Sequence, residues 1–151
     1  MTGSSGSIAW AWSLLTADPI VAALVLEFLP ESKSRIGVYE NGFVPQDAKA
    51  DYIVLQQQSY REVGSSITGE RGAANMLLTV KAVTRAAGYG RAEAIMKAVD
   101  NVLQRASGAI NGVTVRSCIA DGEIRYPEVK SDGVTIAHFG IMYRLFVSET
   151  G

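Results

Sequence analysis

The chain has 151 residues, with 14 basic and 15 acidic side chains, one His, one Cys and 48% hydrophobic residues; this is the profile of one ordinary soluble domain. One cysteine cannot close an intramolecular disulfide, and with one histidine it cannot furnish the ligand cluster of a structural zinc, so both kinds of scaffold are excluded. A formal charge of −1 gives no whole-face field to attract a polyanion, which argues against sequence-independent nucleic-acid binding and leaves room only for a local basic patch.

The opening MTGSSGS is small and polar and reads as a flexible N-terminal tail over residues 1–7, with residues 8–151 forming one domain. It has no Lys or Arg, so the charged start of a secretory signal is missing. Ile8 to Leu29 approaches the length of about 20 apolar residues that spans a bilayer. Asp18 and Pro19 at its middle and Glu27 near its end oppose that reading, and two short helices with no membrane role are expected. Ile8, Ala11, Trp12 and Leu15 follow helical spacing, with Ser7 as a possible N-cap. Asp18 followed by Pro19 restarts a helix, expected to run to about Leu29, where Pro30 stops it.

Residues 30–50 alternate turn residues with β-prone pieces around a small strand, Arg35 to Tyr39. Asp51 to Gln58 is β-branched and aromatic and predicts a strand buried on at least one face. Ser59 to Asn75 is polar and glycine-rich and reads as a long loop, a kind that is usually functional or disordered. Met76 to Arg85 predicts a strand with one apolar and one mixed face. Gly90 to Ala106 is the clearest helix, with Ala92, Ile95, Met96, Val99, Val102, Leu103 and Ala106 on one stripe. Asp121-Gly122 signals a hairpin between Val113–Ile119 and Glu123–Val129, and Ser131-Asp132-Gly133 a further turn into a long strand, Val134 to Val147. These make a three-stranded meander. The expected fold class is α+β: an antiparallel sheet with a long helix packed on one face and an N-terminal helix pair.

Chemistry is sparse. GYGRAE lacks both the G-x-G-x-x-G spacing and a Walker lysine. His138 lies among apolar strand residues with no nucleophile to pair with, and Cys118 reads as a small buried hydrophobe. Asp121 and Glu123 sit at a turn signal that explains them structurally. Lys81, Arg85 and Arg91 could line a basic surface, although charges at strand edges more often guard against edge pairing. Trp10 and Trp12 project about 200° apart on a helix, so at most one faces the local core; the other is either a contact with a neighbouring chain or covered by the chain's own proline-containing segment. No catalytic, cofactor-binding or metal-ligating residues are assigned, and no cofactor is expected.

The order of several pieces resembles the tail completion or tail terminator family of long-tailed phages. LLTADPIVAALV is similar to the family's opening helix pair with its Asp-Pro break. RIGVY followed by VPQDAKADYIVLQ is similar to its short strand, proline-containing link and D-Y-hydrophobic strand. GRAEAIMKAVDNVL resembles the helix after the central strand, and DGEIRYPEV with HFGIMYRLFV the closing strands. The resemblance runs from Ile8 to Val147 and rests on the order of packing and turn residues, not on a signature site. The proline usual before the D-Y-hydrophobic strand stands here only earlier in the link, as Pro45.

The resemblance implies a structural virion protein, not an enzyme, made in the host cytoplasm and placed at the head–tail junction. Its implied partners are further copies in a hexameric ring, the tail tube protein and a head-closure or stopper protein of the neck. The ring would cap the tube, end its polymerisation and join it to the head, with DNA crossing the lumen without specific binding. Arg61, Glu62, Glu70 and Arg71 are the candidate assembly contacts. Two alternatives are another neck component such as the stopper and, in a different class, a cytoplasmic enzyme or ligand-binding domain, which would need a deep pocket with perturbed titratable groups.

Overall fold

In the computed structural model, which describes residues 3–48, 50–65 and 71–149, helix α1 (Gly3–Ala17) touches every strand of the main sheet. Residues 3–7 are therefore helical and not a flexible tail, and Gly6 and Ser7 are both buried. The small residues serve close packing: a Cβ at Gly6 would lie 2.5 Å from Val113 Cγ2 and 2.9 Å from its Cβ. Trp10, Ala11 and Leu15 carry the buried side of the helix into the main core.

Helix α2 (Pro19–Leu24) starts as its Asp-Pro signal requires, with Asp18 Oδ2 accepting the Val21 N–H at 3.0 Å. It ends well short of Leu29. Strand β1 (Leu26–Leu29) pairs antiparallel with β2 (Lys33–Ile36) in a two-stranded sheet of its own. Apolar runs this short fit helix and strand equally well by periodicity, and here an ion pair across the hairpin, Arg35 Nε to Glu27 Oε2 at 2.7 Å, favours the strand. Positive φ angles at Glu31 and Ser32 turn the chain just after Pro30, so that proline lies in a hairpin loop and does not stop a helix. The small strand expected at Arg35–Tyr39 divides at Gly37 between β2 and β3 (Val38–Glu40).

The main sheet has six strands in the order β3-β4-β5-β8-β7-β6, comprising also β4 (Tyr52–Ser65), β5 (Arg71–Thr84), β6 (Gly108–Ile110), β7 (Val113–Val129) and β8 (Thr135–Glu149). All neighbours are antiparallel except β3 and β4, which run parallel, so the sheet is mixed and not purely antiparallel. Ser59–Asn75, expected as a loop, is strand at 59–65 and 71–75, while 66–70 lie outside the described residues. Its polar composition is overridden by the ladder: Tyr60 pairs with Met76 and Glu62 with Ala74, and β5 is paired on its other side with β8. The expected hairpin at Asp121-Gly122 is also absent. β7 runs straight through with a register shift between Ala120 and Gly122, because Gly122 stays paired with Met142 on β8. The chain reverses at Ser131-Asp132-Gly133, where Gly133 N–H donates to Lys130 O at 2.9 Å.

Helix α3 (Gly90–Leu103) contacts β5 and β8 and buries Ala92, Ile95, Met96, Val99 and Leu103. These join Leu55, Met76, Leu78, Val80, Tyr143 and Leu145 in one core on the side of the sheet that also receives α1. The opposite side carries a smaller cluster of Val54, Val83 and Ile136, covered by Val44, Tyr52 and Val134. The fold is thus mixed α and β with strands predominating.

Candidate assembly surfaces

The lengths of the strands decide what the helices can cover. α3 has 14 residues and so spans about 21 Å. β7 has 17 residues and so spans about 56 Å. The end of the β7–β8 hairpin therefore passes beyond the cover of α3, and from Ile119 to Val129 every residue of β7 is exposed or half-buried. Register fixes the directions of this hairpin and of β4–β5. The start of β5 lies beside the end of β8, through Ala73 opposite Ser148, so the two hairpin turns stand at opposite ends of the sheet.

The predicted contact residues fall on the first of these ends. Arg61 and Glu62 are exposed on β4, opposite Asn75 and Ala74. Arg71 opens β5 across from Ser65, and Glu70 lies outside the described residues. Arg61, Ser59, Asn75, Leu77 and Arg144 line a shallow depression of about 240 Å³ on the helix-free side. Arg144 is held there by Asp121 at 2.9 Å, which gives that aspartate a structural role. Glu123 lies 3.8 Å from Arg125, which also pairs with Glu93 at 3.1 Å and covers the Phe139 ring at 4.7 Å.

The other residues singled out by sequence do not converge. Cys118 is fully buried, and burial, aided by Asp100, pushes its thiol up to about 12, so it carries little thiolate at neutral pH. Arg91 forks onto both oxygens of Asp51, and Arg85 meets the same carboxylate through its backbone N–H, at 3.4 Å. Lys81 donates to the Tyr126 hydroxyl at 2.8 Å. No basic patch is assembled from these three. Among the described residues no group of three or more His, Cys, Asp or Glu could hold a metal ion, and no helix is long and apolar enough to cross a membrane.

His138 has a structural site. Its ring stacks on Tyr126 with centroids 4.4 Å apart, Nε2 lies 2.7 Å from Glu128 Oε2, and Nδ1 is buried without a partner. Burial lowers its pKa below the ordinary 6.5; the Glu128 hydrogen bond opposes this, and Lys81 and Lys130 reinforce it. The unfolded chain therefore binds a proton that the folded one resists, and stability falls as pH drops below about 6.5. The thermal midpoint should fall less between pH 7 and pH 5 in His138→Gln than in the parent; equal slopes would show that His138 does not contribute.

Of the exposed aromatic side chains the sequence reading pointed to one of the two tryptophans and missed Phe28 and Phe43. Trp10 is buried whereas Trp12 is 48% exposed, its Nε1 donating to Val38 O at 3.0 Å beside the edge strand β3. Trp12 and Phe43, the latter 73% exposed, border a groove of about 360 Å³ whose walls include Ile8, Val38, Leu55 and one carboxylate, Glu40. Phe28 is 82% exposed on β1, with Ile20 and Leu24 exposed on α2. The only hint in the sequence is that the LEFL stretch carries both a glutamate and a phenylalanine, and facing is set by the hairpin register.

A long hairpin that runs beyond helical cover, exposed charges on β4 and exposed aromatic side chains describe a structural component built for contact with other chains. The chain belongs to the tail completion protein gp17 family, whose sequence pattern matches residues 12–147. It is accordingly a structural component of a phage-type tail or head–tail assembly. A chain of the "virion of native gene transfer agent (GTA) particle" shares the fold: TM-score 0.70 at 19% identity, covering 97% of this chain and 98% of that one. No curated protein sequence matches the chain.

Proposed function

We propose that this protein is the tail terminator of a phage, prophage or phage-like particle, acting as one domain without a chemical step. Copies close into a hexameric ring at the head–tail junction, cap the tail tube, end its polymerisation and offer the other ring face to the neck protein of the head. The observation that carries this reading is the pair of hairpins that turn at opposite ends of one sheet. A subunit of that shape supplies two contact ends, while α1 and α3 lie on the sheet between them and α2 packs on those two helices. Ring closure buries strand edges and apolar surface that an isolated subunit leaves open. A net charge of −1 suits a lumen through which DNA slides without sticking.

In this reading Arg61 and Arg71, with Glu62 and Glu70, contact the tail tube or a neighbouring subunit. Arg61→Glu combined with Arg71→Glu places like charges in that contact, and because such juxtaposition costs several kcal/mol, the yield of joined particles should fall at least about tenfold. Circular dichroism and the thermal midpoint of the purified variant should match the parent. Unchanged joining would remove this hairpin end from the interface.

A further inference from the structure

The net charge of −1 conceals an uneven distribution. Strand side chains alternate between the two faces of a sheet, and on β5 and β8 the helix-covered core takes Val80, Ala82, Tyr143 and Leu145. Lys81 and Arg144, which stand between them, therefore turn to the side without helices. Arg61, opposite Asn75, shares a depression with Arg144 on that side, and Arg116 Nε donates to Ser148 Oγ there at 3.1 Å. Neither Arg61 nor Arg116 meets a carboxylate among the described residues. On this side of β4, β5, β7 and β8 the described carboxylates are Asp121 and Glu128, and both are engaged, by Arg144 and His138. Three of the cations form a band. Asn75 faces Phe146 on β8, and Phe146 lies two residues from Arg144 and pairs with Ser117, the neighbour of Arg116. The band crosses four strands, about 14 Å, and all three arginines are exposed.

We propose that this side of the sheet is turned to the lumen of the ring, where Arg61, Arg116 and Arg144 contact the phosphate backbone of the DNA. The inference rests on the ring reading above and names the surface that meets the DNA. Guanidinium groups fork onto phosphate oxygens, and hydroxyl and amide side chains, here Ser59 and Asn75 in the same depression, take further phosphate hydrogen bonds. The Arg144–Asp121 pair is open to water, at 64% and 45% exposure, so it competes weakly with a phosphate. A band of cations spread over four strands, with only a shallow depression beneath it, suits an anion that repeats along a chain better than one carboxylate of a partner protein. Backbone contacts of this kind carry no sequence information and let protein and DNA slide past one another.

The test begins with the purified full chain and a short DNA duplex of random sequence at low salt. The slope of log K against log salt concentration should be about −3 for three phosphate contacts. Arg61→Gln, Arg116→Gln and Arg144→Gln should each make it shallower by about 1. Lys97→Gln removes the same charge from an exposed position on α3 and should leave the slope unchanged. Absence of binding, or a lysine variant that changes the slope as much as the arginine variants do, overturns the contact. In assembled particles, p-benzoylphenylalanine in place of the exposed Asn75 should give on irradiation an adduct that nuclease digestion collapses. A nuclease-resistant adduct would mean that a protein covers this face, and it overturns the contact, as does the absence of any adduct. If that variant does not enter particles, the salt slopes decide. Failure of the ring reading is distinct: the unsubstituted chain would be missing from the head–tail junction, whatever the slopes.

Discussion

Replacing Gly6 with alanine is expected to destabilise the protein, although the same change in a solvated helix would stabilise it by about 1 kcal/mol. The added methyl would sit 2.5 Å from Val113 Cγ2 and 2.9 Å from Val113 Cβ. Val113 is 1% exposed and stiff at its branched carbon, so α1 must move away from β7. Overpacking of this kind costs about 1–3 kcal/mol, which for a chain of this size lowers the thermal midpoint by roughly 2–4 °C per kcal/mol. The sign separates three pictures. A rise would put Gly6 on an exposed helix face, no change would put it in a tail, and a fall is required by the packing of α1 against the sheet.

A larger loss is expected at Tyr143, the largest of the fully buried side chains. It stands on β8 within the core, and its hydroxyl donates to Asp100 Oδ1 on α3 at 2.8 Å, so it ties the helix to the sheet. Burial pushes its phenol well above the ordinary range, with the Asp100 hydrogen bond adding to the shift, so the hydroxyl is protonated and a donor at neutral pH. Tyr143→Ala leaves a cavity and strands the carboxylate, for a loss of about 3–5 kcal/mol. Tyr143→Phe retains the ring volume and should cost about 1–3 kcal/mol. Urea unfolding of both variants checks this; a loss for Phe as large as that for Ala would show that the hydrogen bond, and not packing, dominates the site.

The parts of the fold visible in the sequence are those in which one periodicity has no rival. The stripe of α3 from Ala92 to Leu103 is long enough to define a helix face, and Asp18-Pro19 has a mechanism that admits few alternatives. Where local chemistry and long-range pairing disagree, pairing wins. Ser59–Ser65 and Asp121-Gly122 carry turn-forming residues, yet each lies on a strand held by its neighbour's hydrogen bonds. Gly3 to Ser7 failed for a different reason: small residues permit both disorder and close approach, and only the position of Val113 decides between them.

The candidate surface was legible to a lesser degree. Arg61 and Glu62, read as loop residues, are exposed on a strand, and Phe28 and Phe43 could not be identified as surface residues, because exposure depends on which side of a hairpin faces the core. Family membership was legible because it rests on the order of packing motifs along the chain, and that order survives errors in individual elements.

Electron microscopy of the particles produced when this gene is deleted tests the central claim most directly. A terminator predicts filled heads separated from tails of irregular or excess length. Tails of normal length beside empty, leaking heads would assign the protein to head closure instead, and normal infectious particles would contradict a role in joining altogether.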